Sequence, residues 1–142
     1  MPDKQTLIMN GQTVAFQKGE TILDVARRNN VFIPTLCHIQ GQTATAACRI
    51  CVVEDEHSGK LLTSCSTPVR GNMVLLTDSK RVLSSRRNTL ELLLASGNHD
   101  CLLCPATGEC TLQDLAYRYQ VPGTLYPRQV SPYDLEAVNP FI

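Results

Sequence analysis

The seven cysteines of this 142-residue chain fall into two groups. Cys37, Cys48, Cys51 and Cys65 make the pattern C-x10-C-x2-C-x13-C, and Cys101, Cys104 and Cys110 make C-x2-C-x5-C. Seven cannot all pair within one chain, and in a reducing compartment cysteines at close, patterned spacing serve as metal ligands more often than as disulfides. Any fold available to this chain must bring each group to one place. That restraint is tighter than any imposed by composition, and it also supplies the staple that domains below about 70–80 residues usually need.

The rest of the sequence sets the broad class. Hydrophobic residues make up 43% and charged residues 18%, with no tryptophan, as in a globular protein. The net charge is zero, so nothing global points to nucleic acid or to an anionic membrane. The amino terminus carries an early aspartate, Asp3, and no long apolar run, unlike a signal peptide. The longest apolar cluster, Leu90 to Ala95 interrupted by Glu91, is far short of the roughly 18 residues a spanning helix needs. The expectation is a cytoplasmic protein with no direct membrane insertion.

Thr6–Asn10, the turn signal Gly11-Gln12 and Thr13–Phe16 read as a β-hairpin. At Thr21 the period changes: Thr21 and Asp24 form a capping box, and Ile22, Val25 and Ala26 repeat at helical spacing up to about Asn29-Asn30. Pro34 then forces extended or turning backbone before Cys37. Residues 49–54 and 61–64, apolar-rich runs around a polar turn at 55–60, read as a second hairpin, and 72–77 as a further strand. This is a small mixed α+β sheet with a helix on one face. After Asp78, read as an N-cap, a long helix runs to about Ser96 and stops at Gly97. A second capped helix starts at Thr111 and reaches about Gln120, and prolines 122, 127, 132 and 140 then leave an extended tail. The expected domains are residues 1–77, 78–121 and a tail over 122–142.

The two-residue gap between Cys48 and Cys51 lets two thiolates reach one metal centre from a single tight turn, with Cys37 and Cys65 arriving from other loops. Residues 38–47 are mostly small and polar, as suits backbone passing close to an iron–sulfur cluster and offering N–H groups to its sulfurs. Tetrahedral zinc remains a rival, although zinc sites usually join two close pairs and here Cys37 and Cys65 stand alone. A Rieske centre needs two histidines, and only His38 adjoins the group; it reads as a polar neighbour, and His57 as a solvated turn residue.

The segments Pro34-Thr35-Leu36-Cys37 and Ala47-Cys48-Arg49-Ile50-Cys51, following Gly19 to Asp24, resemble a known family. It is the [2Fe–2S] ferredoxin-like domain that opens the large iron–sulfur subunit of respiratory NADH dehydrogenase, iron-only hydrogenases and NAD-linked formate dehydrogenases. The resemblance implies a β-grasp ferredoxin fold with Cys37, Cys48, Cys51 and Cys65 ligating one [2Fe–2S] cluster.

In the second group only three cysteines remain, whereas a cubane cluster has four iron corners. Either another residue takes the last corner or it stays open. His99, which extends the pattern to H-x-C-x2-C-x5-C, is the candidate, because a neutral imidazole is a competent iron ligand. Asp100 reads as a solvated or capping residue. Residues 97–114 resemble the small helical His-Cys-ligated [4Fe–4S] domain that follows the ferredoxin domain in the same families, which implies one [4Fe–4S] cluster on His99, Cys101, Cys104 and Cys110. The commoner family spacing, H-x3-C, would fall on Gly97; the shorter form resembles hydrogenase diaphorase subunits. A neutral ligand in place of a thiolate should raise the cluster potential.

There is no glycine-rich nucleotide motif, no phosphate loop and no nucleophile constellation apart from the cysteines already assigned, so no catalytic residue is expected. In the resembling families the run matching Pro132 to Phe141 leads into a further cysteine-rich segment and then a catalytic domain. The chain therefore reads as an electron-transfer module of a formate-, hydrogen- or NAD(P)-linked oxidoreductase. It would not be catalytic alone, and would pass single electrons between a flavin subunit or ferredoxin and a catalytic subunit. The tail and a basic helix face (Lys80, Arg81, Arg86, Arg87) are candidate docking surfaces. Two alternatives stay open: a zinc-stabilised interaction or assembly protein, and an iron–sulfur redox sensor, which would need a nucleic-acid-binding element the sequence lacks.

Overall fold

A computed structural model of the chain describes residues 5–97 and 99–127. Strands β1 (Gln5–Met9) and β2 (Gln12–Phe16) form an antiparallel hairpin. The turn falls on Asn10-Gly11 rather than on Gly11-Gln12, because both residues take positive φ (51° and 80°), the backbone a two-residue hairpin turn requires. Alternation buries Leu7, Met9, Val14 and Phe16 on one face.

Helix α1 (Ile22–Arg28) begins with the expected capping box: Thr21 Oγ1 accepts from Asp24 N at 3.2 Å, and Asp24 Oδ2 accepts from Thr21 N at 2.9 Å. These bonds satisfy backbone donors that an uncapped end would leave open. Ile22, Leu23, Val25 and Ala26 face inward, against β1, β2 and the strands that follow. Each large apolar side chain buried this way contributes about 1.5–3 kcal/mol.

Strands β3 (Val52–Asp55) and β4 (Lys60–Thr63) form the second hairpin. The strand begins at Val52 and not at Arg49, because Arg49 sits at φ 58° in the turn that carries Cys51. Strand β5 (Val74–Leu76) pairs antiparallel with β3 and parallel with β1, giving the order β2-β1-β5-β3-β4. A hairpin, a helix crossing one face, and a late strand laid parallel to the first is the β-grasp arrangement.

Helix α2 (Lys80–Ala95) is capped by Ser79, whose Oγ accepts from Val82 N at 3.2 Å. Asp78, expected as the cap, instead accepts from Thr77 Oγ1 and lies 3.6 Å from Arg86 Nη1. Arg86 is not part of a basic docking face. It is fully buried, because it sits on the apolar stripe of α2 between Val82 and Leu90, and its Nη2 donates to Val52 O at 2.8 Å. Helix α3 (Thr111–Arg118) has Cys110 as N-cap, one residue before the expected start, without a side-chain cap bond.

By contacts the chain groups into two compact units that divide between Thr89 and Leu90, inside α2. The first holds the sheet, α1 and the larger core. In the second, Leu90, Ala95, Leu115, Tyr119 and Val121 are buried. Of the expected tail, residues 128–142, including the Pro132 to Phe141 run, lie outside the described residues. No helix among the described residues is long and apolar enough to cross a membrane.

Candidate metal centres

The first group of cysteines is assembled by three separate pieces of backbone. Cys37 follows the extended segment after α1, where Ile33 and Pro34 are buried and anchor the loop. Cys48 and Cys51 flank a turn pinned by fully buried Ile50, with Ala46 and Arg49 both in the left-handed region (φ 52° and 58°). Left-handed residues without glycine's freedom cost about 1–3 kcal/mol each and persist where the surroundings impose them. Their effect here is to turn backbone N–H groups inward, in the manner of an anion-binding nest. Cys48 N donates to Cys37 Sγ at 3.5 Å.

Cys65 comes from the end of the second hairpin. Ser64 N donates to Cys51 O at 3.2 Å, and Thr67 N closes a turn on Thr63 O at 3.0 Å. The first turn of α1 holds this loop: Leu23 N donates to Ser64 O (3.0 Å) and Ile22 N to Thr67 O (3.1 Å). The same amides that a helix start leaves open thus fix the fourth cysteine. Cys65 Sγ lies 3.4 Å from Cys51 Sγ, and both residues are buried.

The electrostatics divide the thiols. The N–H of Cys48, helped by the Thr45 hydroxyl and the N–H of Ala47 against partial burial, pulls Cys37 down to about 7. Burial, then the hydrogen bond that the Cys65 thiol shares with Cys51 and the charges of Cys51, Cys37 and Cys48, pushes Cys65 up to about 12. Four thiols close enough to repel one another as anions form a strongly electron-rich donor set. Two buried polar atoms beside it, His38 Nδ1 and Ser64 Oγ, have no hydrogen-bond partner among the described residues. Both lie next to a ligand position; the Ser64 hydroxyl can donate, as can His38 Nδ1 in the tautomer protonated there, and cluster sulfurs accept such bonds. His38 also lines a polar cleft of about 440 Å³ with Asp24, Arg27 and Cys65. Asp24 is lowered by Thr21, His38 and Arg27, against burial, which is the largest influence and acts the other way.

Among the described residues no three His, Cys, Asp or Glu side chains close on a single ion-sized point. A cluster does not ask for that: two irons take two thiolates each, and a cubane iron takes one protein ligand. The Cys51–Cys65 thiol pair suits the first demand, and Cys48 N holds the Cys37 sulfur beside its own residue.

In the second unit His99, Cys101, Cys104 and Cys110 all line one cavity of about 650 Å³, walled by apolar Leu94, Leu112 and Ala116. Successive turns carry them. Leu103 N donates to Asp100 O (3.2 Å), Thr107 N to Cys104 O (3.0 Å), Glu109 N to Ala106 O (3.0 Å), and the Thr107 hydroxyl to Cys101 O. Gly108, at φ 87°, gives the reversal before Cys110 and donates to Gln113 Oε1 at 3.0 Å. Asp100 is exposed and offers only its carbonyl; His57 is exposed in the β3–β4 turn. Three thiols and an imidazole around one roomy cavity fit a four-iron group. Sequence reasoning missed Arg86, Thr45 and Ser64. For Arg86 a signal existed, its helical spacing with Val82 and Leu90.

Comparison with known proteins agrees with this division. Residues 3–80 match the family described as the 2Fe-2S iron–sulfur cluster binding domain. Residues 86–124 match the NADH-ubiquinone oxidoreductase-G iron–sulfur binding region. The chain is 44% identical over 134 residues to the NADP-reducing hydrogenase subunit HndD of Solidesulfovibrio fructosivorans, covering 91% of this chain and 22% of that one. It is 30% identical over 121 residues to the NAD-reducing hydrogenase HoxS subunit gamma of Cupriavidus necator, covering 85% and 51%. A chain in the crystal structure of the NAD+-reducing [NiFe]-hydrogenase in its H2-reduced state superposes with a TM-score of 0.86 at 30% identity, over 96% of this chain and 57% of that one. The chain thus spans about a fifth to a half of these relatives.

Proposed function

Because the chain belongs to the 2Fe-2S iron–sulfur cluster binding domain family, continued by the NADH-ubiquinone oxidoreductase-G iron–sulfur region, we propose that it is an electron-transfer module of a larger hydrogen- or NAD(P)-linked oxidoreductase. It carries one [2Fe–2S] and one [4Fe–4S] cluster. When bound, these groups take up and release single electrons without bond making at the protein.

The residues supply the holding and tuning. Cys37, Cys48, Cys51 and Cys65 would hold the two-iron cluster, a reading supported by the hydrogen bond from Cys48 N to Cys37 Sγ and by the approach of the Cys51 and Cys65 sulfurs. His99, Cys101, Cys104 and Cys110 hold the four-iron cluster, supported by their shared cavity. The inward N–H groups of Ala47 and Cys48 offset negative charge at Cys37, and the burial of Cys51 and Cys65 keeps water from the other end. Partner subunits of an oxidoreductase complex, one with flavin and one catalytic, would give and receive the electrons. A cytoplasmic setting suits seven cysteines that form no disulfide.

The observation that carries this reading is the convergence of the cysteines on two places in the fold. Metal analysis and EPR of anaerobically purified protein test it. Iron in the ratio of both clusters, little zinc, and two reducible signals are expected; stoichiometric zinc with no EPR signal overturns it. His99→Ala tests the histidine, and an unchanged four-iron signal and potential would remove His99 from the ligand set.

A further inference from the structure

Gly97 stands just past the end of α2 and reads, from sequence, as an ordinary helix stop. Its backbone gives no reason for glycine: unlike Gly11, Gly19, Gly41, Gly59 and Gly108, it does not occupy the left-handed region. Its surroundings give one. A β-carbon at residue 97 would stand 3.1 Å from His99 Nε2, 3.6 Å from Cε1 and 3.7 Å from Cδ2. The imidazole edge therefore fills the volume that any side chain at 97 would occupy. No other glycine with a described environment makes so close an approach; at Gly59, the next tightest, the distance is 3.6 Å, to the mobile end of Arg81.

We infer that Gly97 is a positioning residue for the histidine ligand, its missing side chain being the space in which the His99 ring must stand to reach the four-iron cluster. The inference rests on the reading of His99 as a ligand. The physical argument turns on where the ring can go. A 3.1 Å contact is relieved only where the ring makes a shift of a few tenths of an ångström. A ring held to iron does so only at a cost, because a shift of a few tenths of an ångström uses up most of the roughly 0.5 Å within which a metal site holds its working geometry. In the holoprotein the conflict thus falls on the ring–iron bond. The three atoms nearest a β-carbon at 97 all belong to His99, so the effect falls first on the histidine, and Cys101, Cys104 and Cys110 are expected to keep the cluster.

The experiment uses holoprotein labelled with ¹⁵N-histidine, reduced and examined by pulsed EPR, with potentials from a redox titration. Wild type is expected to show one strongly coupled histidine nitrogen on the four-iron signal. Gly97→Ala should retain that cluster while the coupling is weakened or lost and the midpoint shifts toward that of His99→Ala; Gly97→Val should go further. The two-iron signal of the same molecule should stay as in wild type. Wild-type coupling and potential in both Gly97 variants overturn the inference and leave His99 as a ligand. Absence of coupling in wild type removes the ligand reading itself. Loss of the whole four-iron cluster in Gly97→Ala while His99→Ala keeps it also overturns the inference, since the damage would then not run through His99.

Discussion

Cys51 and Cys65 bring their sulfurs to 3.4 Å across the open end of a hairpin. The register explains it: Val52 lies opposite Thr63, Ser64 N reaches Cys51 O, and the turn at 63–67 swings Cys65 back over the same end. Replacing Cys65 by Ala should therefore abolish the two-iron EPR signal and lower the iron content accordingly, while the four-iron signal persists. A Cys65→Ala protein that keeps a normal two-iron signal would sink the assignment.

The divided electrostatics of the first group predict its chemistry once metal is removed. The thiolate is the nucleophile, so reactivity follows thiolate fraction and access. Cys37 lies at about 7 and is half-buried; Cys65 lies at about 12 and is buried. In apoprotein near pH 7.5, iodoacetamide should modify Cys37 faster than Cys65 by at least on the order of a hundredfold. As pH falls from 8 to 6 the Cys37 rate should drop, because the proton returns to a thiol whose anion the Cys48 N–H had favoured. Cys65 should stay slow up to strongly alkaline pH. Mass-spectrometric mapping of alkylation against pH checks both.

Asn10 ties the first turn to the end of the sheet. Its Nδ2 donates to Thr77 Oγ1 at 2.8 Å and its Oδ1 accepts from Thr77 N at 2.9 Å, while its backbone holds φ 51°. Asn10→Ala loses both bonds and strains the turn, and should cost about 2 kcal/mol. Asn10→Gly loses the bonds but not the turn, and should cost about half as much. Denaturation midpoints of the two variants decide; equal losses would place all the effect in the hydrogen bonds.

Arg86 is the buried cation of the first unit. Arg86→Met keeps most of the volume but leaves Val52 O without its donor beside the cysteine turn, and should cost about 1–3 kcal/mol. Because Asp78 remains largely solvated, no large penalty for an orphaned buried carboxylate is added. Thermal unfolding monitors the loss. A Met variant as stable as wild type would make the guanidinium bond incidental.

Features set by local chemistry were readable in the sequence. The Thr21–Asp24 box and the two hairpins each depend on residues a few positions apart, and each appears near the expected place; the two cysteine groups stand out in the chain by their spacing. What could not be read depends on neighbours distant in the chain. Arg86 looked like a member of a charged face beside Arg87, and its burial depends on where β3 lies. Asp78 and Thr111 both look like caps, yet Ser79 and Cys110 take those positions, since a one-residue shift in chain entry decides which residue sits at the helix start. The ring space at Gly97 is a property of three-dimensional approach, which no spacing rule carries.

The parallel pairing of Ile8 with Val74 joins nearly the two ends of the first unit, and all four of its cysteines lie within the stretch so enclosed. Both hairpins and α1 close through short sequence separations, but this pairing must first gather a long loop. It sets the kinetic order of assembly: local pieces form quickly, and registering β5 between β1 and β3 is the slow search. Until that search ends, the cysteine loop is framed by hairpins but not yet locked. Metal delivered at that stage would meet cysteine loops not yet held at their final spacing.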